Sequence, residues 1–461
     1  GMRELRGAGN YPCATHNTHC STGAEMNRGN KVLLKAKNIM DPDYERFKEE
    51  HLCECLSCPY KQAKADFQTA PLGVTNFSYL LAEANHVGQL SPRSLLIVDE
   101  AHNTESQLLS FVNLEVTHAR CDKIGAQRPP AIHSGDTAFA RDWCMKTFMP
   151  VLEMKLREAQ EARDNEANSE ARKLLIATVR GMEQYHSRLK ILENTQSLDE
   201  WYACTDEKTG ALRIRPLTAR SIAEDYLFSM GHKLLFLSAT ILDGKSFIRG
   251  LGLSGPDGGF LRVASDFPVE NRIVHIWPAG SMSFKKKEQT TPRLVRYIEK
   301  ILDRHADEKG LIHTNSYSLT NDVLDHLQQT KHRSRLIFHD NLRGSRESAI
   351  YRHTTTPEPT VLISPSMTEG LDLSEDLSRF QVISKVPYPY LGDPFVKARM
   401  THDPAWYLWS TALTIVQATG RSIRSKEDRA TTYILDSDVE TFLAQADSIL
   451  PDWWKRALIY H

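Results

Sequence analysis

The sequence lacks the features of several specialised classes of protein. Its 461 residues contain no apolar run as long as the roughly eighteen residues that a membrane-crossing helix needs, and no apolar signal-peptide core near the start. Its charges nearly cancel, because 57 basic residues stand against 58 acidic ones. We therefore expect an intracellular, folded protein in which any nucleic-acid contact comes from local grooves and not from a global positive field.

Cysteine is also scarce, since eight in a chain of this length are too few for a disulfide scaffold. Five of the eight nevertheless fall between positions 13 and 58, and this clustering predicts a metal site. The clustered residues are Cys13, Cys20, Cys53, Cys55 and Cys58. The others, Cys121, Cys144 and Cys204, stand alone and are expected to pack in hydrophobic cores.

A third absence concerns phosphate binding. The loop Gly-x-x-x-x-Gly-Lys-Ser/Thr, whose backbone amides and lysine cradle nucleotide phosphates, occurs nowhere in the sequence. The nearest match is residues 239–246, in which Ala239 replaces the first glycine. We interpret Lys245 in this segment as a surface lysine in a loop and predict negligible ATP hydrolysis by these 461 residues alone.

What the sequence does contain is a series of short apolar runs alternating with helical segments. This pattern predicts an α/β fold with parallel sheets, and the length predicts two or three domains. The predicted strands are Ser94–Asp99, Lys233–Thr240, Gly310–Thr314, Thr360–Ser364, Phe380–Ser384 and Thr431–Leu435. The first is predicted to be a buried parallel strand. Charged residues with Leu and Ile at helical spacing over about 151–193 indicate a helical insertion.

The strongest local signal is Val98-Asp-Glu-Ala-His-Asn103, which ends the first predicted strand. An acidic pair at a strand end suits magnesium-dependent phosphate chemistry. Asp99 would hold the metal through water, and Glu100 would polarise the water that attacks the terminal phosphate. With His102 following, this motif indicates a motor ATPase.

A second signal lies near the end of the chain, in Gln417-Ala-Thr-Gly-Arg-Ser-Ile-Arg424. Arg421 and Arg424 are three residues apart, so both could face one phosphate from the same side of a helix. Gln417 and Gly420 complete the motif. Nucleotide-coupling residues are predicted in two further segments between these signals. They are Ser238, Thr240, Glu369, Gly370 and Asp372.

Together these motifs resemble the XPD/DinG family of superfamily-two DNA helicases along nearly the whole chain. Supporting segments include Gly9–Cys13, Cys58–Tyr60, Val74–Leu81, Ser265–Pro268 and Lys385–Pro389. The resemblance implies two RecA-like domains of the P-loop NTPase type, the first incomplete, with an iron–sulfur insertion and a helical arch insertion. The implied boundaries are 1–103 for part of the first motor domain with its cysteine region at 10–60, 104–215 for the arch, 216–266 for the rest of that domain and 267–461 for the second.

The resemblance also implies a [4Fe–4S] cluster, for which thiolates are the preferred ligands. We predict Cys13, Cys20, Cys55 and Cys58 as the four, with Cys53 as the alternative to Cys55. A structural zinc is the alternative metal, because His16 and His19 lie beside Cys20.

The implied activity is ATP- and magnesium-dependent 5′→3′ unwinding of single-stranded or forked DNA, in a nucleoid or a nucleus. An inert single-strand-binding chain and an RNA helicase are the alternatives. Phe77, Tyr79 and Tyr388 are the candidates for base stacking, although buried packing is favoured for each. An incomplete first domain would expose apolar sheet, and self-association through that surface is a further hypothesis.

Overall fold

A computed structural model gives the structure of the chain. It describes residues 2–7, 10–11, 59–82, 90–253, 258–340, 342, 344–365, 373, 375–420, 422–423 and 425–461. The chain divides into two compact units, the first formed by Gly1–Leu237 with Gly250–Leu253 and the second by Ser238–Arg249 with Ser254–His461. Both units contain parallel strands with helices between them, so the predicted α/β class is confirmed.

The first unit contains three small sheets in its described part. Its strands are β1 (Met2–Leu5), β2 (Leu72–Thr75), β3 (Leu96–Val98), β4 (Leu114–Val116), β5 (Trp201–Thr205), β6 (Leu212–Pro216) and β7 (Leu234–Phe236). Its helices are α1 (Pro59–Thr69), α2 (Phe77–Ala82), α3 (Thr104–Val112), α4 (His118–Ile124), α5 (Thr137–Trp143), α6 (Met149–Asn165), α7 (Ser169–Asn194) and α8 (Arg220–Tyr226). Strands β1 and β2 pair in parallel, and so do β3 and β7.

The first predicted strand forms in the predicted place, but the prediction that it is buried is wrong. Ile97 of β3 and its register partner Leu235 of β7 are 48% and 42% exposed. Within the described residues, β3 and β7 pair only with each other, and the face that carries these two side chains is exposed. The apolar run therefore identified a strand but not its degree of burial.

The helical insertion predicted for about 151–193 is confirmed by the long helices α6 and α7, which pack against each other. Polar contacts join them, including His186 Nε2 to Glu153 Oε1 at 2.9 Å. No helix in the described ranges combines the length and apolar content of a membrane-crossing segment.

An antiparallel sheet of order β4-β6-β5 accompanies these helices and was not predicted. In β6 the side chains of Leu212 and Ile214 are buried and alternate with two arginines, as expected for a strand with one face on a core. Arg213 of β6 pairs with Glu115 of β4 at 2.8 Å. Strands of three to five residues are too short for their alternation to stand out in the sequence.

In its described part, the second unit is built on a seven-stranded sheet whose pairs are all parallel, in the order β10-β11-β9-β12-β13-β8-β14. Its strands are β8 (Val274–Gly280), β9 (Gly310–His313), β10 (Leu336–Phe338), β11 (Val361–Ser364), β12 (Phe380–Ile383), β13 (Thr431–Asp436) and β14 (Leu458–Tyr460). Its helices are α9 (Gly244–Gly250), α10 (Lys287–Arg304), α11 (Tyr317–Leu327), α12 (Ser345–Thr355), α13 (Pro394–His402), α14 (Pro404–Thr419), α15 (Asp438–Ala446) and α16 (Asp452–Lys455). The four strands predicted in this region are confirmed as the adjacent strands β11, β9, β12 and β13.

Helices cover both faces of this sheet. Successive side chains of a strand point to opposite faces, so neighbouring residues of one strand pack against different helices. On β13, Tyr433 and Leu435 belong to the apolar cluster formed with α10 and α11. Ile434, between them, belongs to the cluster formed with α14 and α15. The sheet is therefore buried on both faces, which is why its central strands read as continuous apolar runs.

Asp436 fixes the loops at the carboxyl edge of this sheet. The side chain is 1% exposed and lies at the end of β13. Its carboxylate accepts hydrogen bonds from the backbone amides of Met282 at 3.0 Å, Val386 at 3.0 Å and Asp438 at 3.1 Å. One buried carboxylate thus ties together the chain segments that follow β8, β12 and β13.

We expect Asp436→Ala to destabilise the protein by about 3 kcal/mol or more, because two buried amides and one partly buried amide would lose their acceptor and each unmade bond costs about 1–3 kcal/mol. Urea denaturation followed by circular dichroism measures this change in the free energy of unfolding. The exposed Asp447, whose carboxylate pairs with Lys455, is the matched control, and Asp447→Ala should cost less than about 1 kcal/mol. Equal stability of the two variants would contradict the proposed role of Asp436.

Candidate functional site

The acidic pair lies directly after β3 and is held against the end of β7. The amide of Leu237 donates to the carbonyl of Val98 at 2.9 Å, and the amide of Ala101 donates back to the carbonyl of Leu237 at 2.9 Å. Asp99 and Glu100 lie between these bonds and are both exposed. The strand pair therefore presents two carboxylates to solvent at the carboxyl edge of the sheet, as predicted.

Glu100 has a strained backbone, with φ 47° and ψ 44° in the left-handed region. A residue other than glycine seldom adopts this backbone conformation, which costs about 1–3 kcal/mol. Its amide donates to Asp99 Oδ1 at 2.8 Å, which helps to hold the turn. Strain of this kind is concentrated at functional sites, so the turn is a candidate functional feature.

His102 is buried, with 7% of its surface exposed, whereas the Glu100 side chain is 67% exposed. His102 Nδ1 lies 3.3 Å from Glu100 Oε2. A buried imidazole has little rotational freedom, so this contact restrains the exposed carboxylate. The structure thus brings together three predicted site residues in the first unit, Asp99, Glu100 and His102.

A second group of predicted residues meets in the second unit. Gln417, on the last turn of α14, donates from Nε2 to Thr240 Oγ1 at 3.2 Å, although the two residues are 177 positions apart. The amide of Thr240 donates to Ser238 Oγ at 3.1 Å, and the two hydroxyl oxygens lie 3.4 Å apart. The motif around Ser238 and the motif around Gln417 are therefore joined by side-chain hydrogen bonds.

Helix α14 is anchored by contacts that sequence reasoning missed. Trp409 Nε1 donates to the carbonyl of Ile241 at 2.9 Å, next to Thr240. Trp454 Nε1 donates to Thr419 Oγ1 at 2.8 Å, just before Gly420 ends the helix. An indole that packs in a core gives no sequence signal of such a contact, because the partner is a backbone or hydroxyl oxygen far along the chain.

In residues 239–246, the nearest match to a phosphate-binding loop, backbone amides are already hydrogen-bonded within the segment. The carboxylate of Asp243 accepts from the amides of Ser246 at 2.8 Å and Lys245 at 3.3 Å. Burial acts to raise the pKa of Asp243, but the hydrogen bonds from Ser246 and Lys245 outweigh it and the net pKa is lowered. Lys245 is exposed, as predicted, although it lies in the first turn of α9 and not in a loop.

Several predicted residues lie outside the described residues. They are Glu369, Gly370, Asp372, Arg421, Arg424 and the cysteines at 13, 20, 53, 55 and 58. Among the residues that the structure does describe, no group of three or more His, Cys, Asp and Glu side chains is arranged to hold a metal ion. The metal site and the arginine pair therefore remain predictions.

The solitary cysteines and the candidate stacking residues behave mostly as packed side chains. Cys121 and Cys144 are buried, and burial raises the pKa of Cys144 to about 12, so this thiol is protonated at neutral pH. Tyr79 is buried with its hydroxyl 2.7 Å from that of Tyr60. Tyr388 stacks on Tyr407, and burial raises the pKa of Tyr388 to about 12.

Comparison with known proteins places these motifs in one family. The family model DEAD_2 matches residues 6–120, and the model Helicase_C_2, described as a helicase C-terminal domain, matches residues 298–457. The first match includes the Asp99-Glu100 turn, and the second includes Gln417 at the end of α14.

Relatives of known name agree with these matches. The chain is 24% identical over 257 residues to "ATP-dependent DNA helicase DinG" of Photobacterium profundum, with 52% of this chain and 37% of that protein covered. It is 22% identical to "3'-5' exonuclease DinG" of Bacillus subtilis, with 92% of this chain and 56% of that protein covered. The chain thus spans about half the length, or less, of these relatives.

Solved structures agree on the fold. A structure named "XPD_Helicase" has a TM-score of 0.59 at 14% identity and covers 100% of this chain and 86% of its own. The structure of Xpd4 from S. tokodaii has a TM-score of 0.53 at 14% identity and covers 100% of this chain and 96% of its own. The motif geometry, the two matching family models and the shared fold lead to one assignment: the chain belongs to the XPD/DinG family of superfamily-two helicases.

Proposed function

We propose that this chain forms the motor of an ATP-dependent helicase that moves 5′→3′ along single-stranded DNA and separates forked duplexes. The observation that carries the proposal is the strained Glu100 turn, which holds two exposed carboxylates at a strand end. ATP hydrolysis also needs a phosphate-binding loop, and these 461 residues do not contain one. The proposed activity therefore belongs to a polypeptide or assembly that contains both the Glu100 turn and a phosphate-binding loop, here called the complete protein.

The residues of the turn divide the chemistry between them. The exposed carboxylate of Asp99 suits the oxygen donors that magnesium prefers, and the ion when bound would neutralise phosphate charge. Glu100 would accept a proton from the attacking water, and the His102 contact would hold its carboxylate in one orientation. Accordingly, Glu100 is the proposed general base and His102 a positioning residue.

The hydrogen bond between Gln417 and Thr240 would serve coupling. It joins the last motif of the chain to the segment that follows β7, so a displacement of α14 would be transmitted to the Ser238–Thr240 turn. In this proposal Arg421 and Arg424, which follow the same helix, would contact the phosphates of the nucleotide. Glu369, Gly370 and Asp372 would take part in coupling nucleotide hydrolysis to DNA movement, as the sequence predicts.

We expect the 461-residue polypeptide alone to bind single-stranded DNA but to hydrolyse ATP no faster than a background without protein, because no loop cradles the β-phosphate. Steady-state phosphate release with saturating oligodeoxynucleotide measures the hydrolysis, and fluorescence anisotropy measures the DNA binding. Robust DNA-stimulated hydrolysis would overturn this prediction. Absence of DNA binding would overturn both the helicase proposal and its alternative, an inert single-strand-binding protein.

Self-association is a separate proposal that rests on the exposed face of β3 and β7. Ile97 and Leu235 share this face, and an exposed apolar pair on a two-stranded sheet favours contact with another chain. We expect light scattering at high protein concentration to give a mass above that of the monomer, and Leu235→Lys to restore the monomer. Leu174→Lys, at a 71% exposed site on α7, is the control that should leave the mass unchanged. A monomeric wild type would contradict the proposal.

A further inference from the structure

A cavity of about 410 Å³ lies in the second unit, and none of the candidate site residues lines it. Two segments line it, residues 262–269 with Arg272 and residues 451–453 with Arg456. Arg272 lies two residues before β8 and Arg456 two residues before β14, and these strands are neighbours in the sheet. The cavity is therefore at the amino edge of the sheet, opposite the edge that Asp436 organises.

The most informative residue of this cavity is Arg272, which is 9% exposed. It donates from Nε to the carbonyl of Phe267 at 3.3 Å and from Nη1 to the carbonyl of Trp453 at 2.6 Å, and its guanidinium stacks 4.9 Å from the Trp453 ring centre. No carboxylate in the described part of the chain forms an ion pair with it. Burial lowers the pKa of Arg272, and the nearby charge of Arg456 lowers it further.

An arginine buried without an anionic partner is costly, since desolvation of a charge is repaid only by an opposite charge with good hydrogen bonds. The cost falls if an anion enters the cavity. The acidic side chains that line the cavity do not act as the anionic partner of Arg272. Asp266 pairs with Lys426 at 2.7 Å, and Asp452 pairs with Lys455 at 3.5 Å. Their negative charge is already balanced outside the cavity.

Two further guanidinium groups add to the positive charge. Arg456 is exposed at the rim, and the structure gives its side chain no ion pair or hydrogen bond among the described residues. Arg262 donates to the carbonyl of Leu242, a neutral acceptor. Three arginines thus surround one cavity, and none of them is paired with a described carboxylate.

We propose that this cavity is a binding site for a phosphate group. Guanidinium forks match the oxygens of a phosphate and form charge-assisted bonds with them, and Arg272 is already held in place by two backbone carbonyls and the Trp453 ring. The phosphate could belong to the backbone of single-stranded DNA or be free in solution. This site does not depend on the proposed ATP hydrolysis, because none of the residues of that mechanism line it.

The test compares two probes by calorimetric titration at low ionic strength, inorganic phosphate and an oligodeoxythymidine with hydroxyl ends. Arg456→Gln is the variant, because the Arg456 side chain is exposed and its loss should not disturb folding. Arg333→Gln is the matched control, since Arg333 is exposed in the same unit and its side chain has no partner among the described residues. We expect Arg456→Gln to weaken binding of at least one probe by about tenfold or more, and Arg333→Gln to change it less than about twofold.

The pattern of losses identifies the source of the phosphate. Weaker binding of inorganic phosphate alone assigns the site to free phosphate, and weaker binding of the oligonucleotide assigns it to the DNA backbone. Unchanged affinity of Arg456→Gln for both probes would overturn the proposal. Equal losses in the two variants would also overturn it, since they would reflect general positive charge and not this cavity.

Discussion

Replacing Glu100 by glutamine is expected to lower DNA-stimulated ATP hydrolysis by the complete protein about 100-fold or more. Glutamine preserves the size of the side chain but cannot accept a proton, and loss of a general base typically costs about 10²–10⁴ in rate. Steady-state phosphate release at saturating DNA and ATP measures the change. Because Glu100 is exposed, we expect the free energy of unfolding to stay nearly the same.

Glu115→Gln is the matched control for this prediction. Glu115 is an exposed carboxylate of the same unit that pairs with Arg213, and it lies on β4, away from the acidic turn in sequence. Surface ion pairs contribute little to stability, so this variant should stay folded. We therefore expect it to keep at least about half of the wild-type rate of ATP hydrolysis. Hydrolysis by Glu100→Gln at the wild-type rate would remove Glu100 from the proposed mechanism.

Replacing Cys58 by serine is expected to remove nearly all protein-bound iron, because a [4Fe–4S] cluster needs four thiolates and serine is a poor substitute. The same loss is expected for Cys13→Ser and Cys20→Ser. Cys55→Ser should lose iron and Cys53→Ser should retain it, if Cys55 is the third ligand as proposed. Iron and acid-labile sulfide are measured on protein prepared without oxygen.

Cys144 supplies the control for these substitutions. Its thiol is buried, and burial raises its pKa to about 12, so it does not offer the thiolate that a cluster requires. Cys144→Ser should therefore retain its iron. Zinc at about one equivalent per chain with no iron would contradict the cluster and favour the structural zinc site.

The sequence predicted the second unit better than the first. In the second unit, strands β9, β11, β12 and β13 are buried between two helical layers, so each is a continuous apolar run that sequence reading detects. Strands β10 and β14 lie at the edges of the same sheet and have three residues each, too few for a pattern. They were missed for that reason.

The candidate site shows a similar division. The Asp99-Glu100 pair was predictable because adjacent residues at a strand end form a local pattern. The left-handed backbone of Glu100 was not, since nothing in the sequence marks a strained residue other than glycine. The bond between Gln417 and Thr240 joins positions 177 apart, and only the packing of α14 brings them together.

The phosphate cavity was also beyond sequence reasoning. Arg272 and Arg456 are far apart in the chain, and no local pattern links the two. They meet because β8 and β14 are adjacent in the sheet, and β14 was not predicted. Whether an arginine has an anionic partner can be determined only from the three-dimensional structure around it.

Strand separation by the complete protein tests the central claim most directly. The substrates are a fluorescently labelled DNA duplex with a single-stranded 5′ tail, the same duplex with a 3′ tail, and an RNA duplex with a 5′ tail. An XPD/DinG-type motor is expected to displace the strand of the 5′-tailed DNA alone, only with ATP and magnesium. ATP-dependent displacement from the 3′ tail, or equal activity on RNA, would contradict the proposed function.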